Sequence, residues 1–145
     1  MEEQHINQAI EVHLVTSTDE LHKVHQIRQE VFVVEQNVEE SLEYEFEDES
    51  NHFIAYADGH PAGTARWRKT SNGIKLERFA VLGTFRNKGI GSALLRTILD
   101  HLPSKAYVYL HAQLPAMNLY AKQGFRPEGD LFYEADMPHY KMKLS

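Results

Sequence analysis

Apolar and polar positions alternate over residues 11–15, which predicts a short strand. Ser17, Thr18, Asp19 and Glu20 follow as a capping-box signature, in which a Ser hydroxyl accepts from the third-residue N–H while the Glu reaches back. Leu21, Val24, Ile27 and Val31 then recur at helical spacing, and the pattern fades near Gln36 and Asn37. Residues 51–57 and 61–68 read as strands joined at the hairpin signal Asp58-Gly59. Asn72-Gly73 is a second such signal, and residues 74–81 form the next strand of an antiparallel meander. Beyond Val81 the period changes from two to 3.6. Ile90, Ala93, Leu94, Ile98 and Leu102 stripe one helix face, and Pro103 stops it. Residues 106–110 predict a strand, and residues 115–123 a helix with Pro115 early and Gly124 at its end. Residues 139–144 fit a last strand. The run 74–110 is therefore one βαβ unit, whose right-handed crossover makes its strands parallel neighbours or near neighbours. The predicted fold class is α+β (mixed α/β).

At 145 residues with 42% hydrophobic positions and no second composition regime, the chain predicts one domain over residues 1–145. With no cysteine, it can carry neither a disulfide framework nor a thiol nucleophile. The first ten residues are too polar for a signal peptide, and no apolar run approaches the roughly 20 residues of a membrane helix. A cytoplasmic location is the expectation, with no membrane partner. The net charge of −6 disfavours a nucleic-acid partner, because phosphate backbones are repelled. That charge is uneven: residues 38–50 hold Glu39, Glu40, Glu43, Glu45, Glu47, Asp48 and Glu49 and no base. Such runs are usually solvated loops, although this one could instead line a pocket for a cationic amine.

The segment from Leu76 to Leu95 carries the chemistry. A strand ends in Phe79, Ala80 and Val81, a turn contains Arg86, Asn87, Lys88 and Gly89, and a helix opens with Ile90, Gly91 and Ser92. Glycines let a ligand approach the backbone, and a helix N-terminus supplies free N–H groups and partial positive charge. Arg86 and Lys88 add mobile positive charge at the rim. The pattern suits a phosphate. A P-loop is excluded because no Gly-Lys-Ser/Thr ending is present, and a dinucleotide fingerprint because Leu94 stands where the third glycine belongs and no acid follows the next strand.

The Arg86-x-x-Gly89-x-Gly91 pattern resembles the GNAT superfamily of N-acetyltransferases, whose motif is Gln or Arg, two residues, Gly, one residue, then Gly or Ala. The preceding Glu-Arg-Phe-Ala-Val strand, the run from Asn118 through Tyr120 to Gly124-Phe125, the run Arg28 to Gln36 and the run Pro138 to Met142 extend the likeness over roughly the whole chain. They are similar to small bacterial members of poorly defined substrate. The resemblance implies a central mixed, mostly antiparallel sheet flanked by helices, with acetyl-CoA as cosubstrate. It implies that the CoA pyrophosphate lies on the Arg86–Gly91 turn and the pantetheine arm beside Phe79, Ala80 and Val81, with Asn118 bonding that arm. It also implies a small-molecule or peptide amine as acceptor, and dimers are frequent in the family.

Direct transfer to an amine needs the neutral nitrogen, so a base must remove a proton from a group whose pKa is about 10.4. The resemblance assigns the acid that meets the leaving thiolate to Tyr120. For the base, Glu77 lies on the strand that would flank the thioester, unless it pairs with Arg66 or Arg78 across the meander. His139 is the rival, and an ordered water chain is the third route. Nine histidines invite a metal reading, but no His-Glu-x-x-His or tight ligand spacing is present, so no metal is expected. A non-catalytic acyl-CoA-binding module is the alternative function.

Overall fold

The computed structural model describes residues 9–36 and 45–145. Expectations that fall on the first eight residues and on Glu39, Glu40 and Glu43 lie outside them. Strand β1 (Ile10–Leu14) leads through the Ser17 cap into helix α1 (Thr18–Arg28). Only half of the capping box forms. The Ser17 hydroxyl accepts from the Glu20 N–H at 3.2 Å, while the Glu20 carboxylate accepts instead from the Tyr56 hydroxyl at 2.8 Å. The helix continues as a π-helical stretch, Gln29–Glu35, that buries Val31 and Phe32 and ends at Gln36, where the apolar pattern fades. Strands β2 (Asn51–Ala57), β3 (His60–Thr70) and β4 (Gly73–Val81) form the meander. Helix α2 (Ile90–His101) crosses to β5 (Val108–Gln113), and the short helix α3 (Met117–Ala121) leads to β6 (Phe125–Pro127). Strands β7 (Phe132–Glu134) and β8 (Met137–Leu144) close the chain as a hairpin.

Among the described residues eight strands join one sheet of order β1-β2-β3-β4-β5-β8-β6, with β7 paired to β8. Only β4 and β5 run parallel; the other pairs are antiparallel. Two cores cover the two faces. Phe53, Leu76, Leu110 and Met142 pack with Ile90, Leu94 and Ile98 of α2 on one side, while Ile54 and Ala80 pack with Val24, Ile27 and Phe32 on the other. Gly63 sets how closely α2 approaches, since a Cβ there would stand 2.8 Å from Ile90 Cγ2 and 3.0 Å from the Ala80 carbonyl.

Two irregularities shape the middle of the sheet. The β3–β4 register pairs Thr64 with Ala80 but Arg66 with Glu77, so Arg78 and Phe79 together oppose Ala65. Arg78 takes a φ of 59°, which makes this a β-bulge with a non-glycine residue in the left-handed region. Its effect is visible in the packing: Leu76 and Ala80, four residues apart, would share a face in a regular strand, yet they enter opposite cores. The second irregularity is the short β4–β5 ladder. Pairing covers only Ile74–Leu76 against Val108–Leu110, after which the strands diverge.

Candidate active site

A cavity of about 400 Å³ lies where β4 and β5 part, and Glu77, Phe79, His111, Tyr120, Glu134 and His139 are among the residues that line it. In a parallel βαβ unit this end of the strands is where ligands sit. The Arg86–Gly91 turn stands at the same end. Asn87 and Gly89 have φ of 63° and 88°, so the chain reverses sharply before α2. Among the described residues no side chain caps α2, and no acid lies in its first turn, which leaves its end open to an anion. A Cβ at Gly89 would meet only Ile10 Cδ1 at 3.9 Å, which leaves room for an anion beside the backbone. Gly91 has a different reason to be small: a Cβ there would stand 3.1 Å from Leu119 Cδ2, at the contact of α2 with α3. Ser92 is half-buried in that first turn, and Lys88 is exposed.

Arg86 is not the mobile rim charge expected from the sequence. Its Nε donates to the Val81 carbonyl at 2.9 Å and its Nη2 to the Glu35 carboxylate, so it ties the turn to β4 and to the π-helical stretch. Asn118 is exposed on α3. The turn-facing end of β4, with Phe79, Ala80 and Val81, borders the divergence, and Phe79 meets the ring of Tyr120 edge-on at 5.4 Å. Tyr120 is 6% exposed, and its hydroxyl finds no hydrogen-bond partner among the described residues. Burial pushes this phenol above its ordinary range, so it stays protonated at neutral pH.

The two candidate bases have different surroundings. Glu77 accepts from Arg66 Nε at 2.8 Å and Arg68 Nε at 2.9 Å, and Lys75 Nζ stands 3.5 Å away. Burial alone would raise its pKa, but the charge of Arg66, the hydrogen bond of Arg68 and the charge of Lys75 outweigh that and hold it at about 2. A carboxylate held so firmly in its ionised form is a poor acceptor for an ammonium proton. The pairing with Arg66 weighed from the sequence is the arrangement found, whereas Arg78 lies over the ring of Phe32. Because the folded pKa is depressed from 4.5, Glu77 contributes stability above pH 4.5 and loses it as pH falls toward 2. Acid titration of unfolding free energy is expected to show roughly 3 kcal/mol of that loss removed in Glu77→Gln.

His139 is 5% exposed on β8, stacked against Phe132 with centroids 5.8 Å apart. Its Nδ1 lies 2.7 Å from the Met137 carbonyl. A carbonyl only accepts, so Nδ1 carries the proton and the lone pair is on Nε2. Glu134 Oε1 stands 3.7 Å from Nε2, where it would stabilise an imidazolium, while its Oε2 accepts from His111 Nδ1 at 3.2 Å. That hydrogen bond, together with the charges of His111, Lys75 and His139, holds Glu134 below the usual carboxylate range against the effect of burial. No pattern in the chain pointed to Glu134, because β7 is three residues long and has no visible alternation.

The acidic segment enters the site at its described end. Glu47 is not solvated: it accepts from Arg28 and Arg66, both 1% exposed, and contacts His25. Glu45 and Phe46 line the cavity. Among the described residues no group of three or more His, Cys, Asp or Glu is placed to hold a metal, and no helix is long and apolar enough to cross a membrane.

The sequence and the fold are similar to those of known proteins. A family model described as an acetyltransferase (GNAT) domain matches residues 4–145. The chain is 34% identical over 134 residues to a Bacillus subtilis protein named uncharacterized N-acetyltransferase YjcF, covering 89% of this chain and 95% of that one. It superposes on the crystal structure of Escherichia coli ElaA with a TM-score of 0.80 at 27% identity, covering 94% of this chain and 100% of that chain. An acyl-CoA N-acyltransferase from Pseudomonas aeruginosa gives 0.81 at 26% identity, covering 95% and 99%. The chain belongs to the GNAT family and is an acetyltransferase of that family.

Proposed function

We propose that the protein moves the acetyl group of acetyl-CoA directly to a primary amine of a small molecule or peptide, with His139 as base and Tyr120 as acid. The observation that carries this reading is the cavity at the β4–β5 divergence, which brings the lone pair of His139 and the unpartnered hydroxyl of Tyr120 to one space beside Phe79. The CoA pyrophosphate would rest on the Arg86–Gly91 turn against the uncapped end of α2, with Asn87, Lys88, Ile90 and Ser92 beside it. The pantetheine arm would follow the turn-facing end of β4, reached also by Asn118. Glu77 is assigned to organising its three cations rather than to proton transfer. The setting is cytoplasmic, and a homodimer is compatible with the family.

The acceptor ammonium gives its proton to His139 Nε2, and the imidazolium formed is stabilised by Glu134. The neutral nitrogen then attacks the thioester carbon, and a backbone N–H of β4 near the bulge meets the oxygen as it gains charge. Collapse breaks the carbon–sulfur bond, the thiolate leaves, and the nitrogen gives up its second proton to water to leave the neutral amide. A thiol of pKa near 8.5 is a more acidic group than a phenol raised above 10, so Tyr120 assists by donating a hydrogen bond to the departing thiolate more than by full proton transfer. Tyr120→Phe should therefore reduce kcat by about 10-fold, with the protein still folded. Thiol release from acetyl-CoA across an amine panel measures this, and an unchanged kcat removes Tyr120 from the chemistry.

A further inference from the structure

We propose that the acceptor carries an oxyanion, a carboxylate or a phosphate, bound by Arg68 and Lys75. The inference rests on the transferase reading above. Both cations line the cavity, and their side chains are only 13% and 14% exposed. They face each other across the β3–β4 ladder, where Arg68 pairs with Lys75. Among the described residues their one carboxylate partner is Glu77, which also serves Arg66. Arg66 has a second partner in Glu47, but Arg68 and Lys75 share Glu77 with it and have no other ion pair among the described residues. Glu47 neutralises Arg66 together with Arg28 and His25, and it makes no ion pair with Arg68 or Lys75. Glu134 is close enough for the charge of Lys75 to act on it, but its oxygens are engaged by His111 and His139 and make no ion pair with Lys75 or Arg68.

The unused hydrogen-bonding capacity is specific. Arg68 spends its Nε on Glu77, and its plane is fixed by the ring of Phe46, 3.9 Å from Cζ, while its two terminal amino groups have no partner among the described residues. Lys75 Nζ, at 3.5 Å from Glu77 Oε1, is beyond the length of a good charge-assisted hydrogen bond. Two largely desolvated cations with spare donors, aimed into one cavity, form a receptor for an oxyanion.

The position assigns that anion to the acceptor. Lys75 lies six residues before Val81, about 20 Å of strand from the turn proposed for the CoA phosphates. It lies about 13 Å of strand from Phe79, where the thioester would sit. The anion is therefore on the far side of the reacting carbon from CoA. The remaining source of an anion on that side is the acyl group itself, as in a dicarboxylic acyl-CoA.

The test compares matched amines on the full chain: lysine with lysinamide, a dipeptide with its C-terminal amide, and O-phosphoethanolamine with ethanolamine. Turnover with acetyl-CoA is read by mass spectrometry of the product, and binding of each amine in the presence of CoA is read by calorimetry. We expect at least one anionic member to exceed its neutral partner by about 10-fold or more in kcat/KM. Lys75→Met and Arg68→Gln should bring that ratio toward one, and Lys75→Arg should keep it. Melting temperatures identify any variant that has failed to fold. Neutral amines used as well as their anionic partners would overturn the proposal. So would a preference for succinyl-CoA over acetyl-CoA that Lys75→Met abolishes. Anionic amines that bind preferentially without turnover would uphold the subsite while counting against the transferase reading.

Discussion

Replacing His139 with glutamine is expected to lower kcat/KM for an amine acceptor by about 100-fold or more at neutral pH. The ring has one free nitrogen, because Nδ1 is committed to the Met137 carbonyl, and that nitrogen is Nε2. Glutamine can keep a hydrogen bond to the carbonyl but offers no basic lone pair. A purely structural role would show itself as a lower melting temperature with little change in kcat. The pH dependence separates the two further. An amine of pKa about 10.4 gains roughly 100-fold in free base between pH 7 and pH 9, so the deficit of the variant should shrink over that range as solvent does the work of the base. A loss of less than about threefold at pH 7 would transfer the role to an ordered water chain.

The second large effect concerns stability. Glu47→Ala is expected to lower the unfolding free energy by about 3 kcal/mol or more, read by denaturant unfolding. The carboxylate holds Arg28 Nη2 at 2.9 Å and Arg66 Nη1 at 3.0 Å, two guanidinium groups that are almost fully buried. Removing the anion leaves buried positive charge facing buried positive charge. Burial alone would raise the pKa of Glu47, and the hydrogen bond and charge of Arg28 outweigh it, so the folded value is lowered. The pair therefore stabilises the fold above the normal carboxylate pKa and is lost on acidification. Glu49→Ala, at an exposed neighbouring position, should stay within about 0.5 kcal/mol of the parent. If the two variants unfold alike, Glu47 contributes nothing beyond a surface acid.

These residues also mark what could be read from the sequence. Local signals held where local chemistry decides the outcome. Ser17 caps α1, Asp58 and Gly59 take φ of 50° and 85° in their turn, and the stripe from Ile90 to Ile98 faces the sheet. The strand, turn and helix from β4 to α2 stand as the pattern predicts, with β4 and β5 parallel. Strand β5 starts at Val108 rather than at residue 106 and runs on to Gln113, because its pairing with β8 extends to His139. The misses depend on partners distant in the chain. The π-helical stretch has no periodicity template, and the bulge at Arg78 places arginine where glycine would have announced a left-handed residue. Glu47 looked like one more acid in a solvated run, and its arginine partners lie 19 residues away on either side. Whether Glu77 or His139 is the better base could not be read from residue type. It depends on Arg66, Arg68 and Lys75 converging on one carboxylate and on a carbonyl fixing one tautomer.

The most direct test of acetyl transfer to an amine is to follow both products together, free CoA thiol and acetylated amine, over a panel of primary amines with the unmodified protein. Amine-dependent thiol release, matched one to one by acetylated amine in the mass spectrum, is the predicted result. Calorimetric binding of acetyl-CoA with no release above the rate in water, across the whole panel, would contradict it and point to a module that binds acyl-CoA without turning it over.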